Sequence, residues 1–249
     1  ERAEVSVLPE ESMTMQRLYA VGTSAGGQHP KAILAIHTQT GEIRSGQLDW
    51  PKEYKYYILK FAENTDFPHT QVEMAYYNMA IAMGVNMMPS QLKWINGQYH
   101  FLTERYDRQN GERIHTQTLA AMSETACSYE DLMTVARRLG VSQMEQEQLF
   151  RRMVMNVLGG NVDDHSKNFA FMLPRNGGWQ ITPAYDVTFT VAMKAMPYAN
   201  YHQLSMRGKV ANITAEDLLA FAKENSIKNA ASVIDDVANV LSACWTYLM

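Results

Sequence analysis

The hydrophobic period changes once along this chain, and that change limits the architectures open to it. In the first part the apolar residues fall in short runs rich in β-branched and aromatic side chains, divided by turns bearing Gly or Pro. "LYAVG", "KAILAIH" and "YKYYILKF" read as strands of this kind. "QLKWIN" and "QYHFLTERYD" flank Asn96-Gly97, a strong hairpin signal. A single helix interrupts the series: "TQVEMAYYNMAIAMGV" has its apolar residues at helical spacing and closes at Gly84. The later part is mostly helical. Ser128 to Asp131 and Ser142 to Glu145 each resemble a capping box, opening "YEDLMTVARRLG" and "QMEQEQLFRRMVMNVLGG". Thr214 to Asp217 caps a further helix, residues of about 227–248 form a last one, and "FAFMLP" and "WQITPAYD" make a short hairpin around Asn176-Gly177-Gly178. Sheet first and helices second, with one hinge-like crossing near Glu104–Arg108, predicts an α+β fold of two lobes with a cleft. A small β-rich N-lobe is expected over 1–106 and a larger helical C-lobe over 107–249.

Composition narrows the class. With 249 residues, 46% hydrophobic and 19% charged, the chain has material for a substantial core. A net charge of -4 gives no sign of a nucleic-acid coat or a polybasic membrane anchor. Cys127 and Cys244 lie far apart, which argues against a disulfide framework or a zinc module and fits a cytoplasmic protein. No apolar run approaches the ~20 residues that span a bilayer, so no membrane partner is expected. The N-terminus has no apolar h-region of a secretory signal, and it lacks a starting Met, as a fragment would.

The chemistry concentrates in "NVLGGNVDDHSKNFAFML", where charge and amides crowd between two apolar flanks. Asn168 follows Asp163 with four residues between them, and Asp186 follows one hairpin later. Phosphoryl transfer needs such a set. One carboxylate receives or orients the proton of an attacking hydroxyl, while an amide oxygen and a second carboxylate hold magnesium against nucleotide phosphates, the order used by protein kinases. Here Asp163 would be the base, with Asn168 and Asp186 the metal ligands. Lys167 could neutralise the transferring phosphoryl and His165 could brace the loop by hydrogen bonding. By itself the pattern also reads as a solvated turn with Asp and Asn caps, and the Asp-Asp-His run as a hydrolytic metal site.

Upstream residues fit the same chemistry in order. "VGTSAGGQHPKAIL" is a small-residue loop in which Thr23, Ser24, Gly26 and Gly27 would let backbone N–H groups approach phosphates, although alone it reads as a hairpin turn. Lys60 is charged within the apolar "YYILKF" and needs a partner, which phosphate oxygens would supply while Glu73 orients it. The plainer reading is an edge-strand Lys and a solvated acid at a helix start. "FLTERYDR" stands where a hinge would offer backbone groups to an adenine, or is an exposed salt-bridged strand end.

Together these residues resemble the HipA family of serine/threonine kinases, the toxins of bacterial toxin–antitoxin pairs. The most specific part is "GGNVDDHSKNFAF" followed by "ITPAYDV", supported by "TSAGGQHPKAIL", "YILKF", "FLTERYDR" and "HQLSMRGK". The resemblance implies a two-lobed protein-kinase-like fold that uses ATP and Mg2+. It assigns Asp163 as base, Asn168 and Asp186 as magnesium ligands and Lys60 as the phosphate lysine. Glu104 and Tyr106 become backbone contacts to adenine, and Thr23 or Ser24 the site of autophosphorylation. It also implies a protein substrate (an aminoacyl-tRNA synthetase in the family), an antitoxin partner, and DNA only indirectly through that antitoxin. Two features depart from the pattern. His29-Pro30 replaces acidic and basic residues of the family's loop, and only about twenty residues precede that loop where full-length members carry a large N-terminal subdomain. The chain is expected to be truncated there, or to receive that subdomain from a separate polypeptide. Two other functions stay open: a small-molecule phosphotransferase, which usually carries His before the catalytic Asp, and a kinase-shaped co-repressor of a DNA-binding antitoxin.

Overall fold

The computed structural model describes residues 30–63, 67–190 and 201–248, the last without the side chains beyond Cys244. The strand expected at "LYAVG" and the small-residue loop expected with Thr23, Ser24, Gly26 and Gly27 lie outside the described residues. The chain divides into two compact units. One comprises the residues up to Ala75 with Met88–Ile114, and the other Tyr76–Met87 with the residues from His115 onward.

The first unit is built on an antiparallel sheet of five strands. In chain order these are β1 (Lys31–His37), β2 (Ile43–Ser45), β3 (Tyr54–Lys60), β4 (Ser90–Ile95) and β5 (Gln98–Glu104), arranged β2-β1-β3-β5-β4. β4 and β5 meet at Asn96-Gly97, whose φ angles of 49° and 80° suit the tight mirror-type turn that the dipeptide signals. Ala32, Leu34, Leu59, Phe61, Ile95 and Leu102 form the buried core of this unit. Beyond Glu104 the chain makes a second small hairpin, β6 (Arg108–Gln109) and β7 (Glu112–Arg113), around Asn110-Gly111.

Helix α1 (His69–Ala82) contains the boundary between the units and stops where expected. Gly84 at φ 74° donates to Ile81 and lets the Val85 amide reach back to Ala80, a turn a side chain would strain.

In the second unit, strand β8 (His115–Thr118) leads into the short helix α2 (Leu119–Met122). Next come α3 (Tyr129–Arg138) and α4 (Gln143–Gly159), then strands β9 (Ala170–Leu173) and β10 (Gln180–Ile181), and last α5 (Ala215–Glu224) and α6 (Ala230–Leu248). All three capping boxes read from the sequence are formed, at Ser128/Asp131, Ser142/Glu145 and Thr214/Asp217. The hairpin of β9 and β10 gains a third strand that the sequence did not reveal, because β8 pairs along β9 with His115 opposite Leu173. α4 supplies the core residues Leu149, Phe150, Met153 and Val154, with Phe150 stacked on Phe221 of α5. Among the described residues no helix is long and apolar enough to cross a membrane.

Candidate active site

The polar loop begins where α4 ends. Gly160 adopts φ 71°, a left-handed conformation that favours glycine, and the Phe189 ring lies 3.2 Å from where a Cβ would stand, so a side chain there would also have to displace that ring slightly. Asn161 turns inward. Its Nδ2 donates to Asn156 Oδ1 at 2.9 Å, and its Oδ1 accepts from the Thr190 hydroxyl at 3.4 Å. The same Thr190 oxygen accepts the Asp163 amide at 3.2 Å.

Asn168 closes the loop from its other end. Its backbone N–H donates to His165 O at 2.8 Å, and its side-chain Nδ2 donates to the carbonyl of Asp163 at 2.8 Å. With the amide nitrogen so used, the Asn168 Oδ1 is the atom left to accept from a ligand or cation. The Asp163 carboxyl is 59% exposed, yet its pKa is raised. Partial desolvation by the surrounding chain is the main cause; the His165 ring opposes it, and repulsion from Asp186 and Asp164 adds to it. Asp186 follows β10 at φ 51°, a left-handed conformation that Asp tolerates better than most residues. Its neighbour Tyr185 donates its hydroxyl to the carbonyl of Lys167 at 2.8 Å, tying the segment that carries Asp186 to the loop that carries Asp163.

His165 does not brace this loop through a side-chain bond. Its Nε2 stands 3.8 Å from Asp163 Oδ1, beyond hydrogen-bond reach, and its buried Nδ1 has no partner among the described residues. The bracing falls to Asn168 and to Asp164. The Asp164 side chain is fully buried and accepts from the Tyr129 hydroxyl at 2.5 Å, His202 Nδ1 at 2.8 Å and the Gln203 amide at 2.7 Å. Burial and the Asp164 charge push the Tyr129 hydroxyl far above its ordinary pKa, so it stays a donor. The Tyr129 oxygen in turn accepts from Asn156 Nδ2 at 3.2 Å, closing a buried polar chain from Thr190 to His202.

In the first unit, Lys60 ends β3 opposite Lys31 and Phe101. Its Nζ lies 2.6 Å from Glu73 Oε1, with 15% and 13% of the two side chains exposed. Glu73 is the fifth residue of α1, beyond its first turn, so an ion pair and not the helix dipole holds it. The Glu104 carboxylate accepts from Lys55 Nζ at 3.0 Å, and its backbone N–H is given to Pro89 O. The Tyr106 carbonyl accepts from Gln109 Nε2 at 3.1 Å.

Residues 23–245 match the family model of the HipA-like C-terminal domain. The chain belongs to this family. Two relatives in the curated proteins are "Putative kinase Y4mE" of Sinorhizobium fredii, 24% identical over 199 residues, and a "Putative kinase" of Haemophilus influenzae, 24% identical over 202. Each alignment takes in 71% of this chain, while the chain spans about half of each relative, 47% and 55% respectively. Among solved structures, HipA of Shewanella oneidensis MR-1, determined with HipB and operator DNA, superposes with a TM-score of 0.67. That match has 18% identity and covers 88% of this chain and 59% of that one. The Helicobacter pylori proinflammatory kinase CtkA superposes at 0.51 with 11% identity, covering 76% and 87%. At such identities the likeness is one of fold, and the fold of this HipA-like chain is kinase-like.

Carboxylate and amide oxygens are the donors a hard divalent cation takes, while among the described residues no three His, Cys, Asp or Glu side chains gather into a metal-holding group. Asp163 and Asp186 lie near enough for Asp186 to oppose ionisation of Asp163, and Asn168 keeps its Oδ1 available. A magnesium ion held by Asp186 and Asn168 would offset that repulsion and supply positive charge to phosphate oxygens. Sequence reasoning missed Tyr129, Asn156, Thr190 and His202 and gave Asp164 no role. The only signal was that a polar crowd next to buried flanks must find partners.

Proposed function

We propose that this HipA-like chain is an ATP- and Mg-dependent serine/threonine protein kinase. The observation that carries the reading is the hydrogen bond from the Asn168 side chain to the Asp163 carbonyl. It locks the two ends of the Asp-x4-Asn loop together, leaving an exposed carboxylate as base and an amide oxygen as metal ligand. Asp186 is the second metal ligand, Lys60 steadied by Glu73 pairs with phosphate, and Lys167 neutralises the group in transfer. Gly26 and Gly27 would cradle phosphates, and Glu104 and Tyr106 would meet adenine through their backbones; because the Glu104 N–H already serves Pro89, that contact would fall to its carbonyl or to Tyr106. In the transfer, Asp163 takes the proton of a protein hydroxyl while the γ-phosphorus–oxygen bond to ADP breaks and the bond to the hydroxyl oxygen forms.

The substrate is proposed to be another protein, an aminoacyl-tRNA synthetase by family analogy, with Thr23 or Ser24 as a second acceptor on the chain's own loop. Incubation with labelled ATP and Mg, alone and with a lysate, followed by mass spectrometry tests this. Phosphate on Ser or Thr is expected, and an absence of labelled protein would refute it. A partner reading stands beside it, favoured by the fold shared with HipA of the HipA–HipB–operator complex. In it the chain binds an antitoxin and reaches DNA only through it.

A further inference from the structure

The buried carboxylate next to the proposed base has no part in the chemistry described so far. We infer that Asp164 is a positioning residue, which fixes the 163–164 peptide against two distant parts of the chain and so aims the Asp163 side chain outward. The inference rests on the kinase reading for its consequence and on the hydrogen bonds alone for its mechanics.

Neighbouring residues of the loop point opposite ways: Asp164 is 1% exposed, whereas Asp163 faces solvent. Four groups converge on the two Asp164 oxygens. Oδ2 takes the Tyr129 hydroxyl and His202 Nδ1, and Oδ1 takes the amides of Gln203 and, at 3.5 Å, Leu204. Tyr129 is the first residue of α3, and its own amide donates to Ser205 O at 2.9 Å. Its ring meets Phe169, next to Asn168, edge-on at 5.8 Å between centroids. The segment 202–205 and α3 are therefore joined to the start of the catalytic loop through one carboxylate, and the Tyr129 ring meets the end of that loop. Among the described residues no Lys or Arg forms an ion pair with Asp164. Its charge is met by dipolar donors and the His202 ring, an arrangement that is costly to build and fixed in direction. A structural plug at this point would be satisfied by an apolar side chain; a carboxylate holding four donors sets an orientation.

The test uses the full chain with Asp164→Asn, Tyr129→Phe, His202→Asn and His202→Leu. Two readouts are needed: kcat and KM for ATP in the labelled-ATP assay, and amide hydrogen exchange across 161–168. A misplacement of about 1 Å at a reacting group costs about 100-fold, so Tyr129→Phe and Asp164→Asn are expected to lower kcat by about 10- to 100-fold with KM for ATP within about threefold. His202→Asn keeps an N–H near the Nδ1 position and should retain several-fold more activity than His202→Leu. Exchange at Asp163–Asn168 should quicken in Tyr129→Phe while protection in α3 and α4 persists. Unchanged kcat in Tyr129→Phe and Asp164→Asn overturns the inference, and so does a loss of protection spread equally over α3 and α4. Should Asp164→Asn fail to fold, the Tyr129 and His202 variants decide. If the wild-type chain transfers no phosphate, the kinase reading fails. Exchange then still judges the positioning, which unchanged loop exchange in Tyr129→Phe would overturn.

Discussion

Breaking the Lys60–Glu73 pair should cost stability in an amount that its burial sets. An exposed pair contributes ~0–1 kcal/mol, whereas removing one partner of a fully buried pair costs ~3–5 kcal/mol. With 15% and 13% of the side chains exposed and a 2.6 Å contact, this pair lies nearer the buried limit. Glu73→Gln also leaves the Lys60 ammonium on a strand position registered with Lys31. A cost of about 2 kcal/mol is expected for Glu73→Gln, and about the same for Lys60→Met, which removes the cation from the pair instead. At roughly 2–4 °C per kcal/mol for a chain of this size, each single variant should melt about 4–8 °C below wild type. Lys60→Met combined with Glu73→Gln removes both charges, so the double variant should recover about 1–2 kcal/mol of the summed losses. Calorimetric melting of the four proteins measures that coupling. Strictly additive losses, with coupling under about 0.5 kcal/mol, would mean that the pair is not an energetic unit and that Glu73 does not hold Lys60 in place.

Asp186→Asn keeps a residue that tolerates positive φ but removes the charge of the proposed metal ligand, so titration calorimetry should show Mg-dependent ATP affinity falling at least about tenfold with the melting temperature little changed. Undiminished affinity removes Asp186 from the metal role. Asp217 predicts an acid-side stability change. The Lys209 ammonium, with the Thr214 backbone N–H next, holds its carboxyl down to about 2 from an ordinary 3.8. A depressed carboxyl stabilises the fold above its unfolded pKa and loses that contribution as pH falls towards its folded one. Denaturant unfolding should thus show wild-type stability falling between about pH 4 and 2, with a shallower fall in Asp217→Asn. Equal slopes would contradict the pairing.

What could be read in the sequence was what short-range chemistry decides. The three capping boxes and the Asn96-Gly97 turn depend on residues at most four positions apart, and all are formed. Strand β8 escaped because His115–Thr118 is short and polar and gains its identity only from its pairing with Ala170–Leu173, with His115 opposite Leu173 58 positions on. The β6–β7 hairpin carries an Asn-Gly signal at 110–111 too, but its flanks, Arg-Gln and Glu-Arg, lack the apolar alternation that marks a strand. The loop residues Asp163, Asn168 and Asp186 stood out because their spacing is itself chemical. The support under them did not, since Asp164 finds Tyr129 35 positions upstream and His202 38 positions downstream. No local pattern encodes a buried carboxylate's partners; only the requirement that they exist is legible.

The most direct test of the account is phosphate transfer by Asp163→Asn beside the wild-type chain, measured with labelled ATP and Mg, with ATP binding followed in parallel. The substitution keeps the shape of the side chain and removes the proposed base. The account predicts nearly unchanged ATP binding and transfer reduced by roughly 10²–10⁴-fold. Transfer by Asp163→Asn at the wild-type rate would contradict it.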